Sequence, residues 1–248
     1  MRLLLLVLLV LFSSSSFSSS AVKIATDPWC PYVCVSEKGS SGILVEIVEQ
    51  SFAENGYLVD FIWLNWARAI AEARKGRIQG IIGAFKTDSP DYIFGKEHLL
   101  ESEMCFFTSQ GDNWAFQNMD SLSSRVTVVV KSYSYGSELD SYVAQNENSG
   151  SRNVTSVYGM ESITKRLKLL EKRKIDTLVE DKLVMAKINQ NLKPEAKLRQ
   201  AGCLPPEKVY LAFSPNSNLS PRLSRAFDKG VKSLKRSGRL KQIINEYK

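Results

Sequence analysis

Histidine is almost absent from the 248-residue sequence, and so are the cysteine pairs typical of metal sites. His98 is the only histidine, and the four cysteines form neither a Cys-x-x-Cys pair nor a Cys/His cluster. Metal centres and nucleophile–base pairs are built from such residues at suitable spacing, and no such set is visible. We therefore expect no metal, no cofactor and no enzymatic activity.

The chain also lacks a run long enough to span a membrane. Its one long apolar run covers residues 3–12, follows Arg2 and leads into a Ser-rich stretch ending at Ala21. A bilayer needs roughly 20 apolar residues, whereas a basic start, a short apolar core and small residues are typical of a secretory signal peptide. We predict that residues 1–21 are this signal peptide. No cysteine follows closely, so we expect no lipid anchor.

Acidic residues do not balance the basic ones, and the formal net charge is +7. The basic residues are nevertheless spread along the chain among acids. The densest run, 165–174, is interleaved with Leu167, Leu169 and Leu170. Such a run is more typical of the solvated face of a helix than of a phosphate-binding track. We expect no nucleic-acid partner.

Four cysteines in an exported chain indicate disulfides, with three possible pairings. The spacing favours Cys30–Cys34 as a local loop around Pro31. It leaves Cys105–Cys203 as a bridge between distant parts of the chain. Zinc is the competing use of four cysteines, but the spacing does not match a zinc site.

Hydrophobic patterning predicts alternating strands and helices in the first half of the chain. Asn65 is placed to cap the second helix, and glycines follow both helices. The predicted elements are a strand at 22–25, a helix from 43 to about 54, a strand at 59–63, a helix at 66–75 and a strand at 78–85. This order is typical of a parallel sheet with helices on its faces.

The same alternation returns in the second half. The run 125–130 is rich in valine, as in a strand buried on both faces. Further strands are predicted at 154–157, 175–179 and 208–213, with helices between them, one of them starting at Asp181, and a C-terminal helix capped by Ser220.

These patterns predict an α/β fold of two lobes, each a mostly parallel sheet flanked by helices. Lobe 1 would comprise residues 22–108, and lobe 2, residues 109–207, would be inserted into it. Residues 208–248 would return through the hinge and form C-terminal helices that pack on lobe 1. The segments 104–108 and 209–214 would cross side by side, which brings Cys105 near Cys203.

Short segments along the whole chain after residue 21 resemble one known family in their order and spacing. They are Ala25-Thr26-Asp27-Pro28-Trp29 with Pro31-Tyr32, Gly42 with Val45-Glu46-Ile47-Val48, Trp66-x-Arg68-Ala69, Gly76-Arg77-Ile78-Gln79-Gly80, the Lys86-Thr87 turn, Ser134-Tyr135-Gly136, Asp176-Thr177-Leu178-Val179-Glu180-Asp181, and Ser237-Gly238-Arg239-Leu240. The family is that of bacterial extracellular solute-binding proteins of family 3, the polar-amino-acid receptors of ABC importers.

The resemblance implies a type II periplasmic-binding-protein-like fold with a ligand cleft between its lobes. It implies a periplasmic monomer that closes about a hinge on a small polar or zwitterionic, amino-acid-like ligand and delivers it to an ABC permease. Two alternatives stay open. One is an orphan or sensory ligand-binding module that feeds no transporter. The other is an enzyme similar to cyclohexadienyl dehydratase, with Glu180, Asp181 or Asp27 as its acid or base.

In such folds ligands bind beyond the carboxyl ends of the strands, near helix N-termini that offer unpaired N–H groups. The residues at those positions are our candidate ligand-binding residues: Asp27, Trp29, Tyr32, Trp66, Arg68, Phe85, Lys86, Thr87, Ser132, Tyr133, Ser134, Glu180 and Asp181.

The resemblance also implies roles for some of these residues. Asp181 or Glu180 would hold a ligand ammonium, although Asp181 suits a helix cap equally well. The hydroxyls and N–H groups of 132–134 would bind an anionic end of the ligand. The aromatic residues would form walls around it, although Trp66 also suits the core. Arg68 would bind a carboxylate or pair with Glu72.

One position departs from the family. Its amino-acid receptors carry an arginine three residues after the turn threonine, here Thr87, and that arginine clamps the ligand α-carboxylate by two parallel hydrogen bonds. This chain has Pro90 there. Lys86 or Arg68 remain as substitutes, and a lysine is a point charge rather than a fork. We therefore hypothesise a ligand other than an ordinary α-amino acid.

Overall fold

The computed structural model of this protein describes residues 21–36, 39–87, 89–158 and 162–247. The predicted signal peptide therefore lies outside the described residues, apart from Ala21. Across the described ranges, no helix combines the length and the apolar character needed to cross a membrane.

The first part of the chain forms most of one lobe. Its elements are β1 (Val22–Thr26), β2 (Cys34–Ser36), β3 (Gly39–Ser41), α1 (Ile43–Ala53), β4 (Val59–Trp63), α2 (Trp66–Arg74), β5 (Gly80–Ala84), β6 (Ile93–Phe94) and β7 (Leu100–Ser102). Asn65 caps α2 as predicted, because its side chain accepts a hydrogen bond from the Arg68 N–H at 3.0 Å.

The middle of the chain forms the second lobe. Its elements are β8 (Met104–Ser109), a 3₁₀ turn (Met119–Ser124), β9 (Thr127–Val130), α3 (Ser137–Ser149), β10 (Val154–Val157), α4 (Ser162–Glu171), β11 (Thr177–Asp181), α5 (Lys182–Asn191), a 3₁₀ turn (Pro194–Ala196) and β12 (Leu198–Cys203). The strands lie in the order β10-β9-β11-β8-β12, and β9 is buried along its length.

The end of the chain returns to the first lobe as β13 (Glu207–Phe213), α6 (Ser220–Ser237) and α7 (Arg239–Glu246). The sheet of this lobe then has the order β4-β1-β5-β13-β6, with β7 also paired to β13. Ser220 was predicted to cap α6, and this was wrong by one residue: Leu219 is the capping position, and Ser220 begins the helix. The Ser220 hydroxyl instead donates to the Ser214 carbonyl at 2.6 Å.

Both sheets are mixed. The strands β4, β1 and β5 run parallel, as do β10, β9 and β11, and these are the predicted β-α-β units. The strands β8 and β13 run antiparallel to their neighbours because they carry the chain out of one lobe and back into it. The short strands β2, β3, β6 and β7, together with β12, were not predicted.

Alternate residues of the first sheet face opposite layers of helices. Ile24 and Leu211 lie in the core with residues of α1, α6 and α7. Ala25 and Ala212 lie on the other side with the small residues of α2. This arrangement exposes the carboxyl ends of β1, β4 and β5 at one edge, where they face the second lobe.

The chain passes between the lobes twice, and the two passages lie side by side. The strand β7 pairs with β13 in the first lobe, and β8 pairs with β12 in the second. The crossing points are therefore Glu103 and residues 204–206. We propose lobe boundaries at these points, which would move the predicted boundary at residue 108 back to 103.

The predicted disulfide pairing is confirmed. Cys105 and Cys203 are opposite each other on β8 and β12 and are bonded, so the bridge lies next to the two crossings. Cys30 and Cys34 close a loop directly after β1. Because Cys105 and Cys203 are oxidised, they offer no thiolate to a metal ion.

Candidate functional site

Residues of both lobes line a small cavity of about 40 Å³. It lies where the carboxyl ends of β1 and β5 meet those of β9 and β11, the region in which open sheets of this kind bind ligands. The lining residues are Thr26, Asp27, Trp29, Trp66, Ile82, Gly83, Phe85, Met104, Tyr133, Ser134, Tyr135 and Glu180.

Side-chain hydrogen bonds cross the cleft and join one lobe to the other. Each has its first-lobe partner after β1 or β5 and its second-lobe partner after β9 or at the end of β11. The Tyr133 hydroxyl donates to Asp27 Oδ2, Trp29 Nε1 donates to Glu180 Oε1 at 3.3 Å, and the Thr87 and Ser134 hydroxyls are 2.7 Å apart. These contacts hold the cleft closed around the cavity.

Glu180 is paired with a buried arginine behind the cavity wall. Arg166 Nη2 lies 2.5 Å from Glu180 Oε2, and its Nη1 donates to the Val179 carbonyl at 2.6 Å. Glu180 Oε1 also accepts from the Asp181 N–H at 2.9 Å. Both carboxylate oxygens therefore have donors from the protein, so the negative charge of Glu180 is largely compensated.

Asp27 lies in a different electrostatic setting. It is 7% exposed and accepts a hydrogen bond from the neutral Tyr133 hydroxyl. Burial raises the pKa of Asp27 to about 7; the hydrogen bond from Tyr133 opposes this rise, and the nearby Glu180 charge adds to it. Among the described residues, no lysine, arginine or histidine lies within ion-pair distance of Asp27, and none lines the cavity beside it.

Asp181 serves as the cap of α5. Its Oδ1 accepts from the N–H groups of Leu183 at 2.8 Å and Val184 at 3.1 Å, and its Oδ2 accepts from the Ser102 hydroxyl at 2.7 Å. Asp181 does not line the cavity, and burial raises the pKa of its carboxyl group.

Aromatic side chains make up five of the other ten lining residues. Trp66 and Tyr133 come from opposite lobes and meet edge to face, with centroids 6.4 Å apart. Trp29 packs on Tyr32 with centroids 4.3 Å apart. Trp66 also belongs to the core around α2, which confirms the core interpretation, and its contact with a ligand stays a prediction.

No family model matches the chain, and no curated protein does. Solved structures match over 92% of the chain. One is an ancestral arginine-binding protein bound to arginine, with 17% identity, 97% of that chain covered and a TM-score of 0.74. Another is the arginine-, lysine-, histidine-binding protein ArtJ from Geobacillus stearothermophilus, with 16% identity, 95% of that chain covered and a TM-score of 0.73. A histidine kinase sensor domain with similarity to periplasmic binding proteins matches with 17% identity, 95% covered and a TM-score of 0.74.

This chain has the periplasmic-binding-protein-like fold. The predicted fold class is thereby confirmed, with two lobes and a cleft between them.

Within this periplasmic-binding fold, eight of the predicted residues occur together at the cleft. Seven line the cavity, and Thr87 bonds across its rim to Ser134. The seven are Asp27, Trp29, Trp66, Phe85, Tyr133, Ser134 and Glu180.

The two predicted substitutes for a carboxylate-binding arginine do not line the cavity. Arg68 is exposed on the first turn of α2, and Glu72, its predicted partner, pairs instead with Arg77 at 2.8 Å. The Lys86 ammonium lies over the ring of Tyr210, 5.0 Å from its centroid. Pro90 is exposed.

An outer groove of about 340 Å³ adjoins the cavity and shares Asp27, Trp66 and Tyr133 with it. The predicted Ser132 lies here, exposed and in a left-handed backbone conformation with φ of 67°. The groove also holds two lysines. Lys131 pairs with Glu147 at 2.6 Å, and Lys165 donates to the Tyr158 carbonyl at 2.8 Å.

Sequence reasoning missed Arg166 and Met104. Arg166 stands in the basic run that was interpreted as a solvated helix face, and that interpretation was wrong for this residue, which is 2% exposed. Its position one helical turn before Leu170, on the apolar side of α4, was the available signal. Tyr135 follows three predicted residues, and its hydroxyl accepts the Val130 N–H at 2.7 Å.

Proposed function

We propose that this protein is an exported solute receptor that closes on one small polar ligand and delivers it to an ABC importer in the membrane. The observation that carries the proposal is the cavity at the facing strand ends of both lobes, with hydrogen bonds from one lobe to the other across it. A site assembled from two lobes exists only when they are closed, so ligand binding and closure are coupled.

The crossings support a hinge. The lobes are joined by Glu103 and by residues 204–206, and these few residues are placed to absorb a rotation of one lobe against the other. The Cys105–Cys203 bridge ties the two passages on the side of the second lobe, so it leaves the bend free.

The names of similar structures agree with an amino-acid-sized ligand, since they include arginine-, lysine- and histidine-binding proteins. The predicted signal peptide agrees with a place of action outside the cytoplasm. We propose a monomer in the periplasm without metal or cofactor, and no catalysis.

The test is a thermal-shift screen of the chain without residues 1–21, unfolded and refolded to remove carried-over ligand. The library holds amino acids, polyamines, betaines, organic acids and prephenate analogues. A ligand at 100 times its Kd stabilises the folded state by about 2.7 kcal/mol, which is a clear shift. One-to-one calorimetric binding without turnover, together with a smaller radius of gyration in solution scattering, is the expected result. Chemical conversion of the hit would overturn the binding role in favour of an enzyme.

A sensory module is the second candidate, because a histidine kinase sensor domain matches this fold as well as the transport receptors do. Uptake of the radiolabelled ligand by cells with and without the gene separates the two roles. Loss of uptake supports delivery to an importer. Unchanged uptake with a lost transcriptional response supports the sensor.

A further inference from the structure

The cavity has an unusual balance of charge. Two of its lining residues, Asp27 and Glu180, are acids, and no lysine, arginine or histidine of the described residues lines it. Arg166 compensates Glu180 from behind the wall, which leaves Asp27 as the carboxylate of the cavity lining without an ion-pair partner among the described residues. Burying such a charge is unfavourable unless a partner of opposite charge joins it.

The walls favour a cation as that partner. Trp29, Trp66 and Tyr133 surround the position next to Asp27, and the faces of such rings attract ammonium and guanidinium groups. The rings also exclude water, which strengthens the attraction between a ligand cation and the Asp27 carboxylate.

The space sets the size of the buried group. A volume of about 40 Å³ holds about three water molecules, at roughly 10–15 Å³ for each. An ammonium or guanidinium head fits this space, and the rest of a ligand would extend past Trp66 and Tyr133 into the outer groove.

Inside the cavity, a carboxylate next to that head group would face Asp27 and Glu180 and would find no cation among the described lining residues. The groove lysines lie farther out, where Lys131 is paired with Glu147 and Lys165 donates to the Tyr158 carbonyl.

We propose that the cleft binds a small organic cation, an amine or guanidine with no carboxylate beside its charge, and that Asp27 is the anion that holds it. This deepens the proposed receptor function and rests on it. The ligand class is then the decarboxylated counterpart of a basic amino acid or a compound of similar charge and size.

Matched pairs that differ only in the carboxylate test the proposal. Calorimetry at pH 8 on refolded protein compares agmatine with arginine, cadaverine with lysine, putrescine with ornithine and histamine with histidine. We expect at least one amine to bind 100-fold or more tightly than its amino acid. Tighter binding of the amino acids would overturn the proposal and leave the receptor function standing. The same conclusion would follow if the broad screen found a ligand of another chemical class and none of the amines bound.

The variant Asp27→Asn has nearly the same shape and removes the charge. We expect its affinity for the best amine to fall at least 30-fold, with an unchanged circular dichroism spectrum. Asp60→Asn, an exposed acid on β4 of the same sheet, is the matched control and should bind normally. Equal affinity of Asp27→Asn and the unmodified protein would refute the role of Asp27.

The pH profile of the unmodified protein tests the same role without a mutation. A cation binds the ionised carboxylate, so affinity is full above the Asp27 pKa of about 7 and is lost as the pH falls through it. Below that value the Kd should rise about tenfold per pH unit. The groups facing Asp27 are the Tyr133 hydroxyl, Glu180 with its partner Arg166 and, across the outer groove, Lys131 and Lys165. Arg166 stays charged throughout, so a flat profile from pH 8 to pH 5 would contradict the proposal.

Discussion

At the scale of single residues, the cleft shows how one neighbouring side chain determines whether the charge of a buried carboxylate is compensated within the protein. Asp27 and Glu180 both lie at strand ends, both are buried, and both line the cavity. Glu180 has the guanidinium of Arg166 at 2.5 Å, whereas Asp27 has a phenol. The first charge is therefore satisfied within the protein, and the second is available to a ligand.

The buried pair gives a residue-scale prediction. Arg166→Met leaves Glu180 in the interior without its counter-charge, so the free energy of unfolding should fall by about 3–5 kcal/mol. Urea denaturation at neutral pH measures the loss. Arg166→Met combined with Glu180→Gln should recover much of it, because neither charge of this pair is then left buried. A loss below about 1 kcal/mol, the range of an exposed pair, would show that the pair is not buried in solution.

At the scale of elements, the ends of strands bring the site together and the crossings connect its halves. The first turns of α2 and α5 begin directly at the cleft, capped by Asn65 and Asp181. The candidate site therefore depends on the order of strands in two sheets. The Cys105–Cys203 bridge fixes β8 to β12 next to the crossings. It therefore keeps these two strands paired when the second lobe rotates about the hinge.

The bridge gives an element-scale prediction. Replacing Cys105 and Cys203 with alanine opens a loop with a sequence separation of 98, for which loop-closure entropy gives up to about 4.7 kcal/mol; we expect 2–4 kcal/mol in urea denaturation. The matched control is the Cys30–Cys34 pair, whose separation of 4 corresponds to about 2 kcal/mol. Thiol titration of the unfolded, unreduced protein should find no free thiol, and four would contradict the bridges.

At the scale of the whole molecule, closure is a balance between cleft contacts and the freedom of the hinge. Contacts that exist only in the closed form lower the dissociation rate of the ligand and leave its association rate nearly unchanged. The Thr87–Ser134 hydrogen bond, 2.7 Å between hydroxyls of opposite lobes, is such a contact. Ser134 also bonds to Asp140 within its own lobe, so it keeps a partner when Thr87 is changed.

Thr87→Val therefore gives a molecule-scale prediction. Loss of one hydrogen bond of about 0.5–1.5 kcal/mol should raise the ligand dissociation rate about 2- to 13-fold, with a nearly constant association rate. Stopped-flow tryptophan fluorescence measures both rates. Ser156→Ala, which removes a hydrogen bond to Glu147 inside the second lobe, is the control and should change neither rate. An altered association rate alone would place Thr87 on the entry path instead.

Much of the fold was predictable because its signals are local. The Val-rich run became β9, the Asn65 cap began α2, and the cysteine spacing matched the bridges. Short strands such as β6 and β7 have too few residues to show the alternation of apolar and polar side chains that predicts a strand. They pair with β13, which comes from the part of the chain that returns to the first lobe.

The sequence by itself determined the alternation of strands and helices, the two lobes and which residues stand at strand ends. Apolar period, capping and turn residues act over a few positions and can be seen without contacts. Only the tertiary structure decided that Glu180 is neutralised by Arg166, that Asp181 caps a helix, that Lys86 lies against Tyr210, and that Asp27 remains without an ion-pair partner among the described residues. Charge compensation depends on distances between groups far apart in the chain, and sequence spacing does not contain those distances.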